Sequence, residues 1–181
     1  MSDNASTAPK GGQLSVALAL FVYFLHDSGY VAADGDVSAA CDAIAKASAD
    51  DADALGQALV AVIDAKLESE SAESVSGWLA SQYGADHIAT DFGADRDERT
   101  RNLRRYHFRS NLPWIAQVVD RFPSGGVGTH WVLVERVGET VTCADPYPWD
   151  DLDEQYESPL VDFMVKWELL GCPSVRFERG A

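Results

Sequence analysis

The chain has 181 residues, 46% of them apolar, with five Trp, six Tyr and seven Phe, enough to bury a substantial core and too many for an intrinsically disordered chain. Its 29 acidic and 14 basic side chains leave a formal net charge of −15, which disfavours nucleic acid as a partner. No apolar run reaches the about 18 residues of a membrane span, and the first ten residues lack the basic and apolar regions of a signal peptide. A soluble, cytoplasmic protein with no membrane partner is therefore expected. The acid is mostly Asp (19 against 10 Glu) and the base mostly Arg (10 against 4 Lys). Such a composition suits concentrated salt, where a Debye length of about 3 Å screens the self-repulsion of so many like charges, although ordinary acidic proteins share it. Three cysteines, Cys41, Cys143 and Cys172, show no repeated spacing, so they read as free thiols and neither a disulfide framework, a metal nor another cofactor is expected.

Residues 1–12 are small and polar and read as a flexible tail. One domain over 13–181 follows, with a helical part over about 13–110 and a sheet part over about 111–181. Leu14 to His26 is apolar on nearly every side, which predicts a helix buried all round and stopped by Gly29. Shorter amphipathic helices are predicted over Val37 to Ala47, Ala52 to Leu67 and Glu73 to Tyr83, and a charged one over about Asp95 to Tyr106. Asp91-Phe92-Gly93 reads as a turn. The pattern then changes to strands: Pro113 to Val119, a Pro/Gly-rich turn at Phe122 to Gly128, and a hairpin. Ser158-Pro159 reads as an N-cap and first helical residue, opening a helix through Leu170 that stops at Gly171, and Ser174 to Arg179 reads as a last strand. Helices first and antiparallel strands later define an α+β class.

The hairpin carries the most chemistry. Thr129-His130-Trp131-Val132-Leu133-Val134 and Thr140-Val141-Thr142-Cys143-Ala144-Asp145 are β-branched-rich runs joined by a tight turn near Gly138. Facing residues in a regular hairpin keep a constant index sum, which places His130 opposite Asp145 or one diagonal step away, on the same face. A carboxylate there holds an imidazole in one tautomer, the supporting half of a nucleophile-His-Asp triad.

The order of these parts resembles a known family. A buried first helix, a helical middle, Leu112-Pro113-Trp114-Ile115-Ala116-Gln117-Val118, His130-Trp131-Val132-Leu133-Val134, Ala144-Asp145-Pro146 and Phe163-Met164-Val165-Lys166-Trp167 are similar to the double-glycine-leader, bacteriocin-processing peptidases of the papain-like clan. The resemblance spans most of the chain and is closest from Leu112 to Arg179. It implies a papain-like fold, His130 as general base, Asp145 orienting it, and a nucleophilic Cys at the start of the first helix with its N-terminus aimed at His130. That Cys is missing. The matching positions hold Gln13 and Leu14, and neither an amide nor an isobutyl group replaces a thiolate activated by a helix dipole. Gln13 is a polar donor there, at a spacing that does not match the family's oxyanion Gln. Ser15 is the one hydroxyl within a turn, and a Ser in the first turn also serves as a cap or packing residue.

Two thiols are alternatives. Cys41 falls in the first turn of a helix capped by Ser38, a setting that lowers a thiol pKa, and Cys143 shares a strand face with Asp145; either also reads as an inert buried thiol. Outside the motif, Arg96, Arg99, Arg101, Arg104, Arg105 and Arg109 face only Asp95, Asp97 and Glu98, which suits docking of an acidic partner or neutralisation by helix-spaced pairs such as Asp97 with Arg101. Asp150-Asp151-Leu152-Asp153-Glu154 suits a cation or a solvated loop. His26, His87 and His107 show no metal-ligand spacing. Three functions follow: a non-catalytic peptide- or protein-binding module that keeps His130 and Asp145 without a nucleophile; an active cysteine hydrolase or acyl transferase using Cys41 or Cys143; and a partner protein working through its Arg face. The first is the expectation.

Overall fold

The computed structural model of the chain describes residues 13–121, 127–144 and 155–179, so the expected tail lies outside the described residues. Four helices come first: α1 (Gln13–Asp27), α2 (Gly35–Lys46), α3 (Ala49–Asp64) and α4 (Ala72–Tyr83). A 3-10 turn at Ala85–His87, strand β1 (Ile88–Ala89) and helix α5 (Arg96–Ser110) follow. Next are β2 (Trp114–Arg121), β3 (Val127–Val137), β4 (Thr140–Ala144), β5 (Gln155–Pro159), α6 (Leu160–Glu168) and β6 (Ser174–Phe177). The strands form one antiparallel sheet in the order β1-β6-β2-β3-β4-β5. The class is α+β, with helices on both faces of the sheet.

Burial on both faces follows from the central strands. Along β3, Trp131 to Val134 are all buried, so the two sides of one strand feed two separate cores. Trp131 and Leu133, with Ile115 of β2 and Val175 and Phe177 of β6, join Leu14, Leu18, Phe21 and Leu25 of α1; α2 and α3 pack on that helix, and α4 packs on the β1 and β6 edge. Val132 and Val134, with Trp114, Ala116 and Val118 of β2, join Leu103 of α5 and Phe163, Met164 and Trp167 of α6. The aromatic centre of this second core packs Phe92 on Trp114 at 4.7 Å and Trp114 on Trp167 at 5.3 Å, ring to ring and tilted, the geometry the ring quadrupoles favour.

Helix ends follow from local chemistry. Gly29, at φ +93°, ends α1 in a Schellman motif in which Tyr30 N–H donates to Leu25 O and Gly29 N–H to His26 O. Gly171, at φ +77°, ends the last helix the same way, with Cys172 N–H donating to Trp167 O. The Asp91-Phe92-Gly93 turn is closed by Gly93 N–H donating to the Asp91 side chain, and Phe92 is buried under it.

Three local expectations are corrected. Ser158 does not cap a helix: it lies in β5 opposite Val141, and α6 starts at Leu160, because the ladder on β4 outcompetes the local capping signal. Val127 and Gly128, expected in a turn, pair with Arg121 and Asp120 as the start of β3. The short strand β1 lies within the part expected to be helical and pairs with β6, so the helical part contributes an edge to the sheet.

Candidate functional site

His130 sits near the start of β3 and is buried, 5% exposed. Its ladder neighbour is Val118 of β2, and strand alternation puts its side chain on the face of Val118, Val132 and Val134, the face of the second core. Helix α1 packs on Trp131 and Leu133, the opposite face. The expectation that the N-terminus of α1 aims at His130 is therefore not met; the sheet stands between them. Asp145 lies outside the described residues. The pairing of β3 with β4 also departs from the constant index sum: Val137 faces Val141 and Arg136 faces Thr142, but a bulge at Glu135 shifts the register so that Val134 faces Cys143 and Leu133 faces Ala144. The last described residue of β4 thus stands three positions along β3 from His130.

Of the vacant nucleophile positions, Gln13 opens α1, and Leu14 is a core residue, 1% exposed. Ser15 Oγ donates to Asp64 Oδ1 at 2.7 Å, which ties the first turn of α1 to the last residue of α3. That bond gives the hydroxyl a structural partner on the helical side of the sheet, away from His130.

Cys41 belongs to the first core, 1% exposed, also across the sheet from His130. The helix around it starts earlier than expected. Asp34 is the N-cap, accepting from Asp36 N–H and Val37 N–H, so Cys41 lies beyond the first turn and gains little from the helix dipole. Burial first, and then the Asp42 carboxylate, push its thiol up to about 11, the reverse of activation. Cys143 is buried on the same face as His130, but its partner Val134 is four residues further along β3, about 13 Å away at strand rise. No direct hydrogen bond spans that distance. Cys172 is a half-buried thiol at φ +63° in the turn after α6.

The arginines divide into two sets that the sequence does not separate. Arg96 and Arg99 grip Glu168 at the end of α6: Arg96 through Nε and Nη2, Arg99 through Nη2 at 2.8 Å. These guanidiniums, Arg96 first, hold the Glu168 carboxyl at about 2. Arg99 also donates to the carbonyls of Gly93 and Ala94, fixing the turn before α5. Arg101, Arg104, Arg105 and Arg109 are exposed, and Asp97 forms no ion pair with Arg101. Sequence reasoning missed Glu168 as the partner of this helix because it lies 69 to 72 positions away. It likewise missed that Arg176 and Arg179, at and beyond the end of the last strand, share a cleft with Arg105 and Arg109. The alternation in Ser174-Val175-Arg176-Phe177 is the one available signal, since it puts Arg176 on the face away from the buried Val175 and Phe177. Asp150 to Glu154 lies outside the described residues. No family model matches the chain, and neither a curated protein nor a solved structure matches it.

Proposed function

We propose that the chain is a non-catalytic, cysteine-peptidase-like module of papain-like descent that binds a peptide or protein partner. One observation supports the loss of chemistry above others: the sheet separates His130 from the start of α1, from Ser15 and from Cys41, so a base and a nucleophile do not meet. The element order, helices before an antiparallel sheet that carries His130 near a strand start, supports the descent.

The surface supports binding. Val161, Val165 and Leu169 repeat at four-residue spacing along α6 and are 60%, 44% and 69% exposed, an apolar stripe of the kind that marks interaction sites. Beside it a groove of about 350 Å³ is lined by Leu160, Val161 and Met164, and its charged lining is Arg96 and Arg104 against one carboxylate, Glu139. Charge complementarity points to a segment presenting apolar side chains between carboxylates.

Cysteine-directed acylating probes test the chemistry. Labelling is expected only at accessible thiols and is unchanged by His130→Ala, and double-glycine leader peptides stay intact. Labelling of Cys41 or Cys143 that disappears with His130→Ala would overturn the reading. For binding, fluorescence anisotropy with a labelled Leu- and Glu-rich amphipathic peptide is expected to saturate, and to weaken about tenfold in Val161→Asp, since a desolvated carboxylate would then sit in the groove.

A further inference from the structure

A cleft of about 390 Å³ opens between α5 and the segment leaving β6, lined by Arg105, Tyr106 and Arg109 on one side and Arg176, Glu178 and Arg179 on the other. Four of the chain's ten arginines thus converge in a molecule of net charge −15. They are not equivalent. Arg176 is fully engaged: Nε and Nη2 donate to Glu178 Oε1 at 3.0 and 2.8 Å, Nη1 donates to the Asp91 carbonyl, and the guanidinium lies 4.2 Å from the centre of the Phe92 ring. This pair cancels its own charge and forms a rigid wall. Arg105, Arg109 and Arg179 make no hydrogen bond or ion pair with any described residue, so three guanidinium forks face the cleft with their donors unused.

Leaving them so is unfavourable. Arg105 and Arg109 are like charges one helical turn apart, an arrangement that destabilises a helix, and Glu178, the carboxylate that lines the cleft, is paired with Arg176. A bound anion would supply the missing partner. We propose that this cleft binds a small molecule bearing a phosphate or diphosphate group.

Three features select that chemistry. A phosphoryl group carries roughly −1.5 to −2 charge and three strong acceptor oxygens, which matches several forks, whereas one carboxylate offers a single charge. The cleft volume falls in the range of about 300–1,000 Å³ typical of small-molecule sites, more than a lone ion fills. All the cations are Arg, whose planar fork recognises phosphate bidentately through direct contact, and direct contact survives salt that screens longer-range attraction. Neither His130 nor the α6 stripe takes part, so the proposal stands apart from the binding-module reading.

Titration calorimetry on the full chain, at ionic strength fixed with potassium chloride, tests it with inorganic phosphate, pyrophosphate and a nucleoside diphosphate as probes and with citrate as a polycarboxylate competitor. Saturable one-to-one binding of pyrophosphate or the nucleoside diphosphate is expected, with affinity falling roughly tenfold or more in Arg105→Ala/Arg109→Ala. The pair Arg101→Ala/Arg136→Ala removes the same charge outside the cleft, and a change below about twofold is expected. Tighter binding of the nucleoside diphosphate than of pyrophosphate would identify an organic phosphate as the ligand class; equal binding would identify the diphosphate group alone. Absence of saturable heat with every probe would overturn the proposal, as would equal loss in the two double variants or preferential binding of citrate. Both variants replace exposed side chains, and circular dichroism checks that each remains folded.

Discussion

Glu168 illustrates how one carboxylate sets a helix pair. It closes α6 and takes bonds from Arg96 and Arg99, the first and fourth residues of α5, so two helices on the same sheet face are fixed end to end. Its carboxyl stays ionised in the fold down to about 2, held by Arg96 and then Arg99, while an unfolded Glu takes up a proton near about 4.3. The sign follows from that lowering: the contribution is present in full above the unfolded value and is lost as pH falls towards 2. Glu168→Gln is expected to lower stability by about 1–2 kcal/mol at pH 7, with the gap to wild type closing as pH approaches 2. Urea unfolding at a series of pH values measures this, and a pH-independent difference would mean that packing and not charge is lost. Residue placement was only partly legible in the sequence. That His130 alternates with Trp131 is written there, but β3 is buried on both faces, so no polar side marks which face meets α1. The start of α2 was hidden for a different reason: Asp34 and Ser38 are both good caps four residues apart, and the fold uses Asp34, whose other oxygen takes Lys66 Nζ at 2.5 Å.

At the scale of elements, α6 buries its inner side against the sheet. Leu160, Phe163, Met164 and Trp167 follow helical spacing onto Trp114 and the strands, and Trp167 Nε1 donates to Pro173 O at 3.0 Å across the Gly171 turn. Trp167→Ala removes the largest side chain of that contact and leaves a cavity against Phe92, Trp114 and Phe163. A destabilisation of about 3–5 kcal/mol is expected in chemical denaturation; less than about 1 kcal/mol would show that α6 contributes little to the global fold. Long elements with a clear pattern were legible: α1 by its apolar run, α4 by its amphipathic period, α5 by its charged run, and β2 and β3 by β-branched runs. The two missed strands have separate causes. β1 is two residues long and exists only through its pairing with β6, and β5 carries Ser158-Pro159, whose local preference for a helix start is overridden by four ladder partners on β4 before Pro159.

Over the whole molecule, charge is segregated as well as excessive. Between residues 13 and 87, the layer of α1 to α4, twelve acidic side chains face two lysines, and one of those lysines, Lys66, is already bound to Asp34. The opposite layer holds the arginine-rich α5. Attraction between layers is weak, since the sheet separates them, so repulsion within the acidic layer dominates and should respond to screening. The melting temperature is therefore expected to rise by several degrees or more between low and molar potassium chloride. The gain should come mostly at low to moderate concentration, as the Debye length falls from about 30 Å at 0.01 M to about 10 Å at 0.1 M and then below the spacing of surface charges. Potassium sulfate at equal ionic strength separates screening from salting-out: a similar rise in both salts identifies charge repulsion, whereas a rise confined to sulfate identifies strengthened burial of apolar surface. A melting temperature that is flat in chloride would mean that the −15 charge is already accommodated at low salt, and would remove the physical ground for an adaptation to concentrated salt.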